Sequence, residues 1–194
     1  MKINCFILLI SLATTTLFAQ EKPGLSRLPL TLTLFTESVS LPDFHNTLSP
    51  ANWGVRLGTE LPWRRGENSS LFQTLQVGYY RHKGLQQGFY ISTELGYRHF
   101  FGNVFADVTL GGGYLRLISD LPRYEPAGEG YRKTTAAFGK FMPTIGLGLG
   151  YRIGEVSLFT RYEAFGEMPL NYQGAPVLPH SALHVGARFQ PSGK

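Results

Sequence analysis

Hydrophobic and polar residues alternate along the stretch from Thr144 to Phe165. Because side chains alternate across a β-strand with period two, this pattern predicts two strands, each with one apolar face and one small or polar face. Gly154-Glu155 separates them and suits a two-residue type II′ turn, since glycine accepts the positive φ of its first position. The apolar positions are Ile145, Leu147, Leu149, Tyr151 and Ile153, followed by Val156, Leu158 and Tyr162.

The same alternation recurs along the chain and predicts eight strands. They are expected at about 28–38, 52–62, 71–82, 88–100, 104–117, 138–153, 156–165 and 182–190. Every second connection is short: 63–70, 101–103 and 154–155. The alternate connections are 39–51, 83–87, 118–137 and 166–181, and most of them are longer and carry prolines.

The first residues predict export. Lys2 precedes an apolar run from Phe6 to Leu12, and Ala19 supplies a small residue at a cleavable position. The run is shorter than the roughly 20 apolar residues that a membrane-spanning helix needs, so it fits a secretory signal peptide. We therefore predict a signal peptide at 1–19, a periplasmic lead-in at 20–27, a barrel over 28–190 and a tail over 191–194. An amphipathic anchor that stays on the mature chain is the alternative for the first segment.

The amino-acid composition argues against several classes of function. The only cysteine, Cys5, lies in the predicted signal peptide, so we expect no disulfide, no metal site and no cofactor. The net charge is +5, but Lys and Arg are scattered apart from the pairs Arg64-Arg65 and Arg132-Lys133, which argues against nucleic-acid binding.

The order of short and long connections fits a closed sheet in a membrane. Hydrocarbon offers no hydrogen-bond partners, so a sheet can cross it only when no strand edge is left open. Outer-membrane barrels have an even number of strands, short periplasmic turns and longer outer loops. The predicted fold is therefore all-β: an eight-stranded antiparallel up-and-down transmembrane β-barrel, whose lumen is filled by side chains.

Charged residues fall on the face of each strand opposite to the apolar one. An arginine facing lipid at mid-bilayer would cost about 2–4 kcal/mol, so these residues are expected inside the barrel. There they can pair with one another and close the lumen. A narrow channel for small solutes is the alternative. The predicted network comprises Glu37, Arg56, Glu60, Glu94, Arg98, Asp107, Arg152, Arg161, Glu163, His184 and Arg188.

Outward-facing aromatic residues gather near both ends of the predicted strands. Amphipathic rings at these two levels are typical of the girdles at the membrane interfaces. The outer girdle is predicted to contain Trp53, Tyr79, Phe89, Tyr114 and Tyr162. The periplasmic girdle is predicted to contain Trp63, Tyr97, Tyr151 and Phe189.

His180-Ser181 is the one weak candidate for catalysis. A nucleophilic serine needs a base within hydrogen-bond reach and an acid that orients the base, here Glu163 or Glu167. Adjacent residues at a strand start point to opposite faces, which opposes a His180–Ser181 pair. The competing interpretation is a junction between loop and strand. The glycines at 146, 148 and 150 have no helix after them, so they are expected to make room for large inward neighbours rather than to bind phosphate.

A resemblance to a known family rests on four features of the sequence. They are the predicted signal peptide, the strand count, the loop asymmetry and the closing strand from Ala182 to Phe189. Over residues 28–190 the chain resembles the small eight-stranded outer-membrane barrel proteins of Gram-negative bacteria. The resemblance implies contact with outer-membrane lipid and lipopolysaccharide, and a protein partner reached through 118–137 and 166–181. We predict a structural or interaction role, with a lipid A-modifying acyl hydrolase and a narrow channel as alternatives. A water-soluble periplasmic barrel of the lipocalin type, with its apolar faces inside, is a further alternative.

Overall fold

The computed structural model describes residues 28–39, 52–121, 123–127, 130–134, 137–168 and 177–191. The barrel strands of its first half are β1 (Leu30–Ser38), β2 (Asn52–Arg65), β3 (Ser69–His82), β4 (Gln86–Phe101) and β5 (Val104–Ser119). A short hairpin of β6 (Arg123–Ala127) and β7 (Gly130–Thr134) follows. The remaining barrel strands are β8 (Ala137–Ile153), β9 (Val156–Glu167) and β10 (Leu178–Phe189).

Eight of the strands close into one antiparallel barrel in the order β1-β10-β9-β8-β5-β4-β3-β2. β1 pairs with β2 on one side and with β10 on the other, so the barrel has no open edge. The prediction of an all-β, eight-stranded, closed antiparallel barrel is confirmed. The predicted signal peptide, the lead-in at 20–27 and most of the tail lie outside the described residues.

Two connections predicted as long loops contain more strand than expected. The prediction for 118–137 is wrong, because β5 and β8 reach into this range and β6–β7 lies between them as a separate two-stranded sheet. The prediction for 166–181 is wrong at both ends, because β9 continues to Glu167 and β10 begins at Leu178. Antiparallel pairing continues past the point where apolar and polar residues alternate, so the sequence pattern ends before the strands do.

Two further connections are also shorter than predicted. β2 runs to Arg65 and β3 begins at Ser69, with a shift of register between Pro62 and Arg64. Proline cannot donate to the ladder, so a local irregularity is expected there. The connection predicted at 83–87 narrows to the residues between His82 and Gln86. At the tightest turn Gly154 has a φ of 61°, as the predicted hairpin requires.

Apolar side chains cover the outer wall of the barrel. Leu110, Leu147 and Val185 are 65%, 63% and 63% exposed, and their neighbours along each strand on this face are exposed or half-buried. A continuous apolar surface of this extent is stable in lipid and not in water. The lipocalin-type alternative is wrong, since it requires these residues to line the interior. None of the described residues forms a helix long and apolar enough to cross a membrane.

Glycines inside the barrel face large aromatic rings. In each case the glycine and the ring are direct partners on neighbouring strands. A Cβ added at any of these glycines would lie closer than 3.0 Å to the ring. Glycine therefore lets each ring lie flat against the backbone of the neighbouring strand. The pairs are Phe35–Gly54, Phe72–Gly96, Tyr80–Gly88, Tyr90–Gly78, Phe105–Gly150 and Phe159–Gly186.

Candidate functional site

The lumen holds nearly all of the charged residues expected there. Buried charges are favourable only when they are paired with good geometry, because each loses its hydration on folding. With the exception of Arg152, each side chain of the predicted network lies inside the barrel and is buried or nearly so. Together with their neighbours, these side chains form three clusters along the barrel: one in the middle, one near the short turns and one near the long loops.

The central cluster is built on one bidentate ion pair. The Arg56 Nη1 and Nη2 atoms donate to the two carboxylate oxygens of Glu163 at 2.7 and 2.6 Å. The Arg56 Nε donates to the Tyr90 hydroxyl at 2.7 Å, so the guanidinium is held on both edges. The His184 ring stacks on Phe35 with centroids 4.6 Å apart, and its Nε2 lies 3.7 Å from Glu163. The two parallel hydrogen bonds between Arg56 and Glu163 are the strongest form of an Arg–carboxylate contact.

Arg161 joins Glu94 to the cluster near the short turns. Its Nη1 donates to Glu94 at 3.1 Å, and its Nη2 lies 3.7 Å from Asp107. Gln76 Nε2 donates to the same Glu94 carboxylate at 3.0 Å. A chain of ionic contacts therefore runs from Glu94 through Arg161 and Asp107 to Arg98.

The cluster near the short turns centres on Glu60. Arg98 donates to both of its carboxylate oxygens at 2.9 and 3.0 Å, and Arg188 does so at 3.1 and 3.0 Å. Arg98 also donates to Asp107 at 2.8 Å, and its guanidinium lies 4.4 Å from the Phe72 ring centre. Two arginines thus share one glutamate, and the aromatic rings fix their orientation.

The cluster near the long loops centres on Glu37 and His180. His180 Nδ1 lies 2.5 Å from one Glu37 oxygen, and His82 Nδ1 lies 3.0 Å from the other. His180 Nε2 lies 3.0 Å from Glu167, to which Gln86 donates at 2.7 Å. The sequence did not place His82, Gln86 and Glu167 in the charge network, because they fell in or beside predicted loops, and Glu167 was named only as a possible acid for Ser181. In the structure the inward row of each strand continues beyond the apolar belt and brings them together.

Arg152 does not join the network, so its predicted place in the lumen is wrong. Its side chain is exposed at the mouth of the barrel, and its guanidinium lies 5.4 Å from the Phe100 ring centre. No carboxylate among the described residues pairs with it. Arg152 lies two residues before Gly154 at the end of β8, where the inward face of the strand opens to solvent.

His180 and Ser181 do not form a catalytic pair. Both residues lie within β10 and are fully buried, so the interpretation as a junction between loop and strand is wrong. Each ring nitrogen of His180 faces a carboxylate, which leaves none to act as a base for Ser181. His99 packs edge-on against Phe101 and supplies no alternative. The described residues contain no group of three or more His, Cys, Asp or Glu side chains able to hold a metal ion.

Aromatic side chains lie on the outer wall near both ends of the barrel. Most of the predicted girdle residues are exposed, from 41% at Trp63 to 64% at Trp53. Tyr79 and Tyr162 are half-buried, and Tyr79 packs against Phe89 at 4.7 Å. The exposed members are Trp53, Trp63, Phe89, Tyr97, Tyr114, Tyr151 and Phe189, and the structure adds Phe101 and Phe141 on the same wall.

Comparison with known proteins identifies the fold and no family. No protein-family model matches the sequence, and no curated protein matches it. Neisserial surface protein A, NspA, is 13% identical with a TM-score of 0.62, over 89% of this chain and 100% of that one. Ail, the attachment invasion locus protein of Yersinia pestis, is 14% identical with a TM-score of 0.52, over 84% and 97%. The outer membrane enzyme PagL is 11% identical with a TM-score of 0.51, over 84% and 99%.

At these identities the likeness shows the fold alone. All three structures are small barrels of the outer-membrane type, and each is covered over nearly its whole length. The closed barrel described above therefore has the same architecture as these three structures. What the protein does has to be argued from its own residues.

Proposed function

We propose that this protein is an integral outer-membrane barrel with a sealed lumen, which acts through its surface and outer loops. The observation that carries the proposal is the filled interior. The three ionic clusters and the aromatic rings occupy the lumen along its length. In the middle of the lumen a cavity of about 20 Å³ remains, bordered by Arg56, Arg161 and His184. That is room for a single water molecule and not for a passing solute.

The outer wall supports the membrane location. Apolar residues form its centre, aromatic residues lie near both ends, and the arginines of the lumen are withdrawn from it. This distribution matches the layers of a bilayer, with hydrocarbon in the middle and polar head groups at each side. Outer-membrane lipid and lipopolysaccharide are therefore the first partners that we propose.

The side of the barrel with the long loops offers the second kind of contact. β6–β7 forms its own sheet apart from the barrel sheet, and Leu121 next to it is 55% exposed. A single exposed leucine is common on protein surfaces, so we use Leu121 as the position at which to test for a contact. We propose that the segments at 118–137 and 166–181 reach a protein partner or a larger outer-membrane complex.

No contact among the residues that the structure describes favours the alternative of a lipid A hydrolase. PagL is described as an outer membrane enzyme, but it is 11% identical to this chain. Here His180 is held between Glu37 and Glu167 inside the barrel, away from the wall where an acyl chain would lie. We therefore propose that this histidine helps to close the lumen.

A two-part experiment tests the proposal. In the first part the purified protein is inserted into a planar lipid bilayer. We expect no conductance steps above the leak of the bare bilayer, because the lumen is filled. A porin inserted in the same way serves as the positive control. Reproducible conductance steps from this protein would contradict the sealed lumen.

The second part locates the contact surface in cells. A photo-crosslinking amino acid at Leu121 is expected to give a discrete protein adduct in outer-membrane fractions. The same amino acid at Leu147, which is equally apolar but lies on the lipid-facing wall, is the matched control and is expected to give none. Absence of an adduct at Leu121, or the same adduct at both positions, would count against a partner at the loops.

A further inference from the structure

The end of the barrel with the short turns contains a second, larger cavity. Its volume is about 400 Å³, which lies in the range of small-molecule sites. We call it the vestibule. It is lined by the turn at Gly66–Ser70, by Gly102 between β4 and β5, and by Gln190 after β10. It is separate from the small cavity in the middle of the lumen and has no part in the proposed function above.

Positive charge dominates the lining of the vestibule. Four arginines, Arg65, Arg98, Arg152 and Arg188, line it against two acids, Glu60 and Glu67. Glu60 is already shared between Arg98 and Arg188. Within the part of the chain that the structure describes, no carboxylate forms an ion pair with Arg65 or Arg152. Two guanidinium groups therefore face this space with their charge uncompensated.

The floor of the vestibule holds a buried donor without a partner. Arg188 is 3% exposed, and its Nε forms no hydrogen bond with any described residue. Its Nη1 is used by Glu60 and its Nη2 by Ser157. A buried N–H left unpaired is costly, so such groups usually have a ligand or a water as a partner. Arg188 therefore brings to the wall of the vestibule a guanidinium with one N–H that no described residue satisfies.

The arrangement is suited to an oxyanion. Guanidinium groups bind phosphate and carboxylate through paired N–H donors, and a flat ring beneath them fixes their plane. Arg152 has such a ring in Phe100. We propose that the vestibule binds a small multivalent anion, carrying phosphate or carboxylate groups, between Arg65, Arg152 and the floor at Arg188.

Isothermal titration calorimetry of the full barrel in a neutral detergent tests this proposal. The probes are inorganic pyrophosphate and citrate, which separate a phosphate ligand from a carboxylate ligand. We expect at least one of them to bind with a dissociation constant below about 1 mM. The double variant Arg65→Gln/Arg152→Gln should bind it at least about tenfold more weakly, since it loses two charge-assisted contacts.

Arg81→Gln is the matched control. Arg81 is an exposed arginine at the opposite end of the barrel, so its loss should leave binding unchanged. In the wild type, binding of the probe should move the NMR amide signals of Gly66, Asn68 and Gly102 and leave Gly84 in place, which needs no variant to fold. The proposal would be overturned if neither probe bound, or if the double variant bound the probe as tightly as the wild type. It would also be overturned if the NMR amide signals shifted equally at both ends of the barrel.

Discussion

Replacing Glu163 by glutamine is expected to lower the free energy of unfolding by about 3–5 kcal/mol. Glu163 is fully buried and accepts two hydrogen bonds from Arg56, at 2.6 and 2.7 Å. Without the carboxylate, Arg56 keeps its charge in an interior that offers no other acid as close. The cost comes from this uncompensated guanidinium more than from the lost contact itself.

Urea titration of the protein in phospholipid vesicles, followed by tryptophan fluorescence, measures this effect. The control is Arg81→Gln, which breaks the exposed pair with Asp120 at 3.8 Å and should cost about 0–1 kcal/mol. The double variant Arg56→Met/Glu163→Leu should recover most of the stability, because it removes both charges and fills a similar volume. A loss below about 1 kcal/mol in Glu163→Gln would mean that this pair does not hold the interior together.

Replacing Leu110 by arginine is the second change with a large expected effect. It should lower the free energy of unfolding by about 2–4 kcal/mol. Leu110 lies on β5 between Val104 and Tyr114, near the middle of the apolar belt, and is 65% exposed. In water an arginine at so exposed a position would be harmless. In a bilayer its charge has to enter hydrocarbon or distort the lipid around it.

The control for Leu110→Arg is Leu121→Arg. Leu121 is 55% exposed, but it follows the end of β5 and lies beyond the belt. A surface substitution there should change the stability by less than about 0.5 kcal/mol. Both variants are compared by the same urea titration in vesicles. Equal stability of the two would show that Leu110 does not face lipid.

The faces of the strands could be predicted from the sequence because they follow a local rule. Period-two alternation put Leu110 outside and Asp107 inside without any knowledge of the neighbouring strands. The same rule, with the order of short and long connections, was enough to predict a closed barrel of eight strands. These features depend on residues close together in the chain.

The pairing of charges could not be predicted in the same way. Arg56 and Glu163 are 107 residues apart, and their meeting depends on the stagger between strands that closure of the barrel imposes. Glu167 and His82 were missed for a different reason: outside the apolar belt both faces of a strand are polar, so the alternation disappears. Arg152 was placed wrongly because the inward row of its strand ends in solvent.

The glycines show an intermediate case. Their spacing on β8 indicated that they make room for large neighbours, and Gly150 does face Phe105 across the strands. Which ring each glycine faces depends on the register between strands, and the sequence does not fix that register. The rule was available from the sequence, and the pairs came from the structure.

One measurement tests most directly the claim that the apolar wall meets lipid. Trp53 and Trp63 are replaced by phenylalanine, and Leu110 is replaced by tryptophan as the only fluorophore of its kind. The protein is then placed in vesicles whose lipids carry bromine at different depths along the acyl chain. We predict strong quenching, greatest with bromine near the bilayer centre. Quenching by acrylamide in the water phase, with none by the brominated lipids, would contradict the account.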